Sequence, residues 1–511
     1  MSAFYLTTPI YYVNDKPHLG TAYCTIVADV LARYHRLFGD DTIMLTGVDE
    51  HGQKVQEAAE KRGMDPQAHC DEMSERFKSA WQDLNIKYDV FFRTTTPYHK
   101  QVVQICLKEL FDKGEIYADE YEGWYSVSEE IFYTEKDLVD GKSPSGREVV
   151  KIKEKNYFFR MSKYQQALID HIQKYPDFIW PESRRNEVLG FLRQPLADLC
   201  ISRPKSRLKW GVELPFDQDY VTYVWFDALL NYATAMGLKQ NDRQTEFKKW
   251  WHETGAIHLI GKDILTTHAV YWTTMLFALG LDQPKHIFAH GWILNKDMEK
   301  MSKSKGEVVN PLDMKNYVGV DGLRYFLIRD VHLGNDAPFS PDLLINRVNN
   351  DLANNLGNMT SRTLNLIEKF FAGAVPAPET TDHLGDELKA MALTTGAKVK
   401  HQIEKMAPSY ALEAIVETLN LANRYLEERA PWKLAKSDLA ATATVLYNAL
   451  EVLRISATLL LPVMPEKMDE LLKRLGNPSR DWAQVEKWGV IKVGTPVTKG
   501  DPLFPRLELP S

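Results

Sequence analysis

Residues Phe4 to Pro9 read as a short strand running into a loop, and from Thr21 to Phe38 apolar residues at Ala22, Ile26, Val30, Tyr34 and Leu37 mark one face of a helix closed by Gly39. Thr42 to Val48 reads as a second strand, and helices follow from Lys54, from Pro66 with Asp65 placed to cap it, and from Tyr98 to Lys113, where Gly114 ends the run. Strand, helix and strand in alternation predict a parallel α/β sheet with helices on its faces.

That rhythm is interrupted. From about Ala118 to Pro215 the pattern turns to short β-like and turn-rich segments, including Glu122 to Tyr133, Val149 to Arg160 and a Gly/Ser/Pro stretch at Gly141 to Gly146, which reads as an inserted module. The α/β pattern returns at Val221 to Asp227 and His258 to Asp263, continues through His286 to Leu294, and gives way near Pro341 to long amphipathic helices. The one obvious break in that helical third, Gly373 to Asp386 with Pro376 and Pro378, reads as an exposed connection. The expected units are therefore 1–117, the first half of an α/β domain; 118–215, the insertion; 216–340, the second half; and 341–511, a helical domain.

Several classes are set aside by composition. A chain of 511 residues exceeds what one hydrophobic core organises. The longest apolar tract, Val445 to Met464, is broken by Glu451, Arg454 and Pro462, and the N-terminus has no basic leader, so neither a membrane span nor an export signal is expected. Four well-separated cysteines, Cys24, Cys70, Cys106 and Cys200, suit a reducing compartment, with the cytoplasm as the expected location. A net charge of -7 argues against wholesale coating of nucleic acid, DNA included, and leaves room for a local, selective RNA contact.

Two constellations carry chemistry. Pro17-His18-Leu19-Gly20-Thr21 sits where a strand hands over to a helix. A helix N-terminus offers unpaired N–H groups and partial positive charge, glycine lets backbone approach a phosphate, and an imidazole can donate to its oxygens. Lys300-Met301-Ser302-Lys303-Ser304-Lys305-Gly306 places three lysines in a small-residue loop, and mobile ammonium groups suit a triphosphate whose charge must be stabilised as pyrophosphate leaves. Taken singly, the first also reads as an accidental turn and the second as a solvated lysine loop.

Together, roughly 280 residues apart, they resemble the signature pair of class I aminoacyl-tRNA synthetases, with Thr21 where that family usually has histidine. The resemblance narrows to the methionyl-tRNA synthetases through Pro9-Ile10-Tyr11-Tyr12-Val13-Asn14, Thr46-Gly47-Val48-Asp49-Glu50-His51-Gly52 and Tyr223-Val224-Trp225-Phe226-Asp227-Ala228. It implies a Rossmann-type catalytic domain split by a β-containing connective insertion and followed by a helical-bundle anticodon-binding domain. It implies ATP, with Mg2+, and L-methionine as substrates. Ile10, Tyr12, Trp225, Tyr232, Ile264 and His268 would line the methionine pocket, with Asp49 on the substrate ammonium; a thioether packs well against aromatic rings, and a lone carboxylate pairs an amine. His18, Gly20, Thr21, Gly261, Asp263, His290, Lys300 and Lys303 would bind ATP, with His18, Lys300 and Lys303 acting on its phosphates. No metal ligands are expected at Asp49-Glu50-His51.

Many relatives hold zinc with cysteine pairs in the segment matching Gly123-Trp124-Tyr125-Ser126-Val127-Ser128-Glu129, where this chain has no cysteine. Serine is a poor zinc ligand, so a zinc-free insertion is expected, held through residues such as Trp124, Tyr133 and Phe159. In the helical third, Asn358 and Arg362 stand one turn apart, and Trp432 follows in Ala430-Pro431-Trp432-Lys433; by the same resemblance these three read the CAU anticodon of tRNA(Met). A chain that stops soon after Phe504, without a lysine-rich appendage, suggests a monomer.

Other readings stay open at this stage. A sister synthetase for leucine, isoleucine or valine would need a larger editing insertion, and one for cysteine would need a zinc that this chain cannot ligate. A small nucleotidyltransferase would lack the helical third. A non-catalytic tRNA-binding protein would have lost the lysine loop or the pocket residues.

Overall fold

The opening strand, β1 (Ala3–Tyr12), extends past Pro9, and helix α1 (Leu19–Phe38) begins two residues earlier than its apolar face suggests, because His18 caps it. The computed structural model describes residues 2–126, 131–133, 135–299, 311–380 and 382–508. β2 (Asp41–Asp49), α2 (Gln53–Lys61), α3 (Pro66–Asp83) and α4 (Pro97–Asp112) follow as the periodicity predicts, and the four-residue strand β3 (Val90–Arg93), too short to carry a pattern, stands between the last two. The Asp65 carboxylate accepts from the Gln67 and Ala68 N–H groups at 2.9 and 3.2 Å, satisfying donors that a helix start leaves without partners.

Next comes an antiparallel unit built on a long hairpin of β4 (Ile116–Ser126) and β6 (Val150–Phe159), with β5 (Ile131–Tyr133) on one edge. Trp124 faces Tyr133 across β4 and β5, and Phe159 is fully buried. After α5 (Gln165–Lys174) the chain makes β7 (Ile179–Trp180), α6 (Glu182–Phe191) and β8 (Leu199–Cys200), the last of which closes the hairpin sheet. A small sheet of β9 (Ser202–Pro204), β10 (Glu213–Leu214) and β11 (Asp217–Thr222) leads into the short helix α7 (Val224–Ala228). The main sheet is completed by β12 (Ala256–Gly261) and β13 (His286–His290).

The main sheet has the order β3-β2-β1-β12-β13-β7, and every neighbouring pair is parallel. Its outer strand β7 comes from within the stretch read as insertion, yet Ile179 and Trp180 pair with Ile287 and Phe288 of β13. Two residues carry no periodicity, so only the pairing reveals this strand. The stretch 221–227 likewise divides between the end of β11 and α7. The order reverses between β1 and β12, and the crevice beyond the carboxyl ends of those strands is where a sheet of this topology takes its ligand.

The helical third packs the helices Pro341–Arg347, Asn358–Phe371, His383–Glu404, Pro408–Arg429, Leu439–Leu460 and Pro465–Arg474 against the α/β unit and one another. Leu439–Leu460 is long and apolar enough to cross a membrane, but that apolar stretch is wholly buried inside the protein. The two charges that interrupt it pair in the core: Arg454 and Glu451 meet at 2.8 Å with both side chains fully buried. Arg454 also donates to the Gln484 and Lys487 carbonyls, and Glu451 accepts from the Gly489 and Ile491 N–H groups, so the pair fastens the C-terminal segment. The break after Gly373 is less exposed than its prolines suggest: Val375 is buried, and its N–H donates to the Thr495 carbonyl at 3.0 Å. All four cysteines are buried free thiols.

The two units are joined by a buried guanidinium. Arg324, on the helix Pro311–Arg329, donates to Asp29 of α1 at 2.6 Å, to the Leu84 and Asn85 carbonyls beyond α3, and to the Pro462 and Val463 carbonyls of the helical third. Asp29 is also held bidentately by Arg33 at 2.8 and 2.9 Å and accepts from the Lys87 N–H. Replacing Arg324 with methionine leaves a buried carboxylate short of a partner and the Leu84, Pro462 and Val463 carbonyls without its donors, the Asn85 carbonyl keeping Arg33 at 2.7 Å, so Arg324→Met should lose about 3–5 kcal/mol of stability. Chemical denaturation followed by circular dichroism reads this, and a midpoint unchanged from wild type would show that the junction does not depend on the pair.

Candidate functional site

At the carboxyl end of β1, the pairing with β2 slips between Thr7 and Ile10, an irregularity that re-aims Ile10 and Tyr12 into the crevice. The loop that follows delivers His18 to the start of α1. Its Nδ1 accepts from the Gly20 N–H at 3.1 Å, while its own N–H donates to Thr21 Oγ1 at 3.0 Å, a reciprocal cap. Thr21 thus has a structural task that suits a hydroxyl. With Nδ1 engaged as an acceptor, the imidazole proton lies on Nε2, left to donate to a ligand. Partial desolvation by the surrounding loop lowers the His18 pKa below its ordinary value, with the Asp263 charge working in the opposite sense.

Across the crevice, β12 ends at Gly261 and β13 at His290. His290 is buried, donates from Nδ1 to the Gly291 carbonyl at 2.7 Å and meets the Tyr23 ring edge-on at 5.3 Å. Burial lowers its pKa. Asp263 accepts from the Trp292 indole N–H at 3.2 Å. Trp292 is held in turn: its backbone N–H donates to Asp336 at 2.8 Å, and Lys262 lies 4.1 Å from its ring centre while pairing with both Asp336 oxygens at 2.7 Å. Gly291 permits this arrangement, since a Cβ there would fall 2.1 Å from the Asn335 carbonyl oxygen.

Deeper in, Asp49 is buried at the end of β2. Trp225, on α7, meets the Tyr12 ring edge-on at 6.2 Å, and Lys54 lies 5.2 Å over that ring. Tyr232 and His268 are 2.9 Å apart, and His268 Nδ1 donates to the Ile264 carbonyl, so the Tyr232 hydroxyl donates to His268 Nε2. Beneath them the His258 ring lies 4.3 Å from the Tyr232 ring at a tilt of 38°, bonded to Thr7 and to the Trp272 indole. Burial depresses the His268 pKa to about 4 and holds that of His258 well below its ordinary value, so this wall is uncharged at neutral pH.

These groups share one cavity of about 630 Å3. Ile10, Tyr12, Asp49, Trp225, Tyr232, Ile264 and His268 line it together with His18, Gly20, Thr21, Gly261, Asp263 and His290. Lys300 and Lys303 lie outside the described residues; the chain approaches their segment through Gly291, Trp292 and Ile293, which line the cavity. Among the described residues no group of three or more His, Cys, Asp or Glu side chains is arranged to hold a metal ion. Sequence reasoning did not find Lys54, Asn231 or Asp336. Lys54 and Asn231 follow quoted motifs closely enough to have been tried, whereas Asp336 reaches Lys262 across 74 positions with no local signal.

A second candidate surface lies in the helical third. The Arg362 guanidinium is 4.6 Å from the Trp432 ring centre, and Asn358 stands exposed one turn before it. Ala430, in a left-handed conformation, turns the chain out of one helix so that Pro431 and Trp432 begin the next. Two segments 70 positions apart thereby present a cation, an amide and an indole together.

Comparison with known proteins agrees with this geometry. Residues 4–151 and 135–364 match the family model of tRNA synthetases class I (M), and residues 374–508 match the anticodon binding domain of methionyl tRNA ligase. The methionine–tRNA ligase of Caldanaerobacter subterraneus subsp. tengcongensis is 45% identical over 99% of this chain and 79% of its own length. The structure of Mycobacterium tuberculosis methionyl-tRNA synthetase in complex with methionyl-adenylate superposes with a TM-score of 0.93 at 41% identity, covering 99% of this chain and 100% of that one. The free form of the same enzyme gives 0.87 at 38% identity, covering 100% and 99%. A cavity joining an aromatic pocket to a capped helix start, with a helical domain matched separately, places this chain in the methionyl-tRNA synthetase family of class I tRNA synthetases.

Proposed function

We propose that this chain activates L-methionine with Mg-ATP to methionyl-adenylate and then esterifies methionine to tRNA(Met). The observation that carries this is the single cavity in which an aromatic, uncharged pocket with a buried carboxylate opens onto the capped start of α1. Methionine enters with its thioether against Tyr12, Trp225, Tyr232 and His268 and its ammonium at Asp49. ATP lies along Gly20, Thr21, Gly261 and His290, with the ribose hydroxyls at Asp263. Ile10 and Ile264 complete the apolar wall.

The methionine carboxylate attacks the α-phosphorus, the bond to the β-phosphate breaks, and pyrophosphate leaves. The terminal adenosine hydroxyl of tRNA then attacks the acyl carbon and releases AMP. Neither step requires a covalent protein nucleophile. The chain contributes position and charge: His18 donates from Nε2 to phosphate oxygens, and Lys300 and Lys303 neutralise the charge that builds on them. A neutral His18 suits this role, because its Nε2 proton is available without competing for the lysines' position. Asn358, Arg362 and Trp432 read the CAU anticodon by base-edge hydrogen bonds and stacking, supported by the Arg362–Trp432 contact.

The insertion needs no zinc in this reading. Tyr125 is flanked by the Arg203 and Arg207 guanidiniums at 5.2 and 4.7 Å, Arg203 also lies 4.6 Å from the Tyr223 ring, and Arg207 pairs with Glu154. Cation–aromatic contacts thus link β4 to β9 and to the segment after it, and the ion pair adds β6. The cytoplasm, where charging of tRNA takes place, is the proposed compartment.

Pyrophosphate exchange assayed with each amino acid in turn tests the function: methionine alone should support it, and exchange with another amino acid, or with none, overturns the reading. Lys303→Ala should slow exchange by about 100-fold or more, the scale of losing a transition-state charge contact, while methionine binding measured by calorimetry stays near wild type. In contrast, Trp432→Ala should leave exchange intact and raise the KM for tRNA by about tenfold, the scale of one lost base stack; an unchanged tRNA KM would remove Trp432 from the anticodon site.

A further inference from the structure

Behind the methionine pocket lies a polar cluster that none of the assigned roles uses. Asp227, on α7, accepts from His51 Nδ1 at 2.5 Å through one carboxylate oxygen and from His99 Nε2 at 2.9 Å through the other. The three side chains are 1, 2 and 0% exposed, and none lines the cavity. Burial alone would raise the Asp227 carboxyl, but the two imidazoles outweigh it and hold its pKa well below the usual carboxylate range. A carboxylate in such a place is costly to desolvate, and an apolar side chain would pack there at less cost.

What the cluster joins explains its placement. His51 stands two residues beyond Asp49, at the end of β2. Asp227 stands two residues beyond Trp225, roughly 200° around the helix at 100° per residue, so one faces the pocket as the other faces away. His99 sits in the first turn of α4, whose buried face packs into the core against Phe92, with the two rings 5.0 Å apart. α7 has five residues and no side-chain cap, too few to hold a direction by local hydrogen bonding. The far nitrogens, His51 Nε2 and His99 Nδ1, are buried with no hydrogen-bond partner among the described residues, so nothing draws either proton away from Asp227. The ring of Trp210, 5.6 Å from His51, packs beside it.

We propose that His51, Asp227 and His99 are positioning residues for amino-acid recognition, locking the strand end that carries Asp49 to the short helix that carries Trp225. The inference rests on the methionine-activating reading above. It assigns the cluster no contact with substrate. It makes the distance between the ammonium acceptor and the thioether wall a property of two hydrogen bonds to one carboxylate.

A crossed pair of substitutions tests it. An asparagine amide reaches about where imidazole Nδ1 lies and a glutamine amide about where Nε2 lies, so His51→Asn and His99→Gln retain a donor to Asp227, whereas His51→Gln and His99→Asn do not. The mismatched variants should raise the methionine KM in pyrophosphate exchange by about tenfold, with the ATP KM within about twofold of wild type, because misplacement by a fraction of an ångström acts on the contact it misaligns. The matched variants should stay within about threefold for both substrates. All four have similar bulk and polarity, so a generally loosened fold cannot produce the crossed pattern. Methionine KM values within about twofold of wild type throughout, or methionine and ATP KM rising in parallel, would overturn the positioning role. Wild-type protein without methionine-dependent exchange would instead overturn the functional reading and leave the triad without a task.

Discussion

The cavity exists because β1 and β12, some 250 residues apart, lie side by side and parallel, with Tyr5, Leu6 and Thr7 opposite Ala256, Ile257 and His258. Both strands are buried on both faces for most of their length, as a parallel sheet covered by helices requires. This pairing brings the capped start of α1 opposite Gly261 and Asp263. It also sets the Tyr232–His258–His268 wall behind β1, where Thr7 bonds His258 across the same pair of strands. Most candidate contacts for nucleotide or amino acid lie at the ends of these strands and their neighbours or on the segments that leave them, while Trp225 and Tyr232 come from the helical stretch after β11.

Charge is distributed within that frame by burial. His258, His268 and His290 are all pushed toward neutrality, so the deep wall offers aromatic surface and fixed dipoles to an uncharged thioether. A protonated imidazole there would repel the substrate ammonium that Asp49 is proposed to hold. Elsewhere the lining carries formal charge, with Asp15, Lys16 and Lys54 on it and the lysine segment following Ile293 in sequence. An amino acid and a polyanion thus meet surfaces of different electrostatic character within one cavity.

Two buried carboxylates do architectural work outside the cavity. Asp29, through Arg324, ties α1 to the carbonyls that connect α3 and the helical third, so the helix bearing His18 and the domain bearing Trp432 share one hydrogen-bonded node. Asp227, through His51 and His99, ties strand, pocket helix and the helix leading to the insertion. In both cases a side chain that is costly to bury is satisfied by groups from separate segments, three for Asp29 and two for Asp227, an arrangement that sets a relative position more sharply than apolar packing does.

By itself the sequence determined the alternation of strands and helices, the antiparallel stretch that interrupts it past α4, the helical final third and the family, because periodicity, caps and contiguous motifs are local properties of a chain. Its motifs at strand ends also carried the residues proposed here for methionine and nucleotide, while Lys54 and Asn231, which line the same cavity, lie just outside those motifs. Tertiary structure alone decided the rest. The two-residue strand β7, the Asp336 support of Trp292, the burial of Val375 beneath the C-terminal segment and the Arg324 and Asp227 nodes have no periodic or motif signature. Each is a pairing between groups far apart in the chain, and a hydrogen bond across such a distance leaves no mark on the residues around it until the fold brings its two ends together.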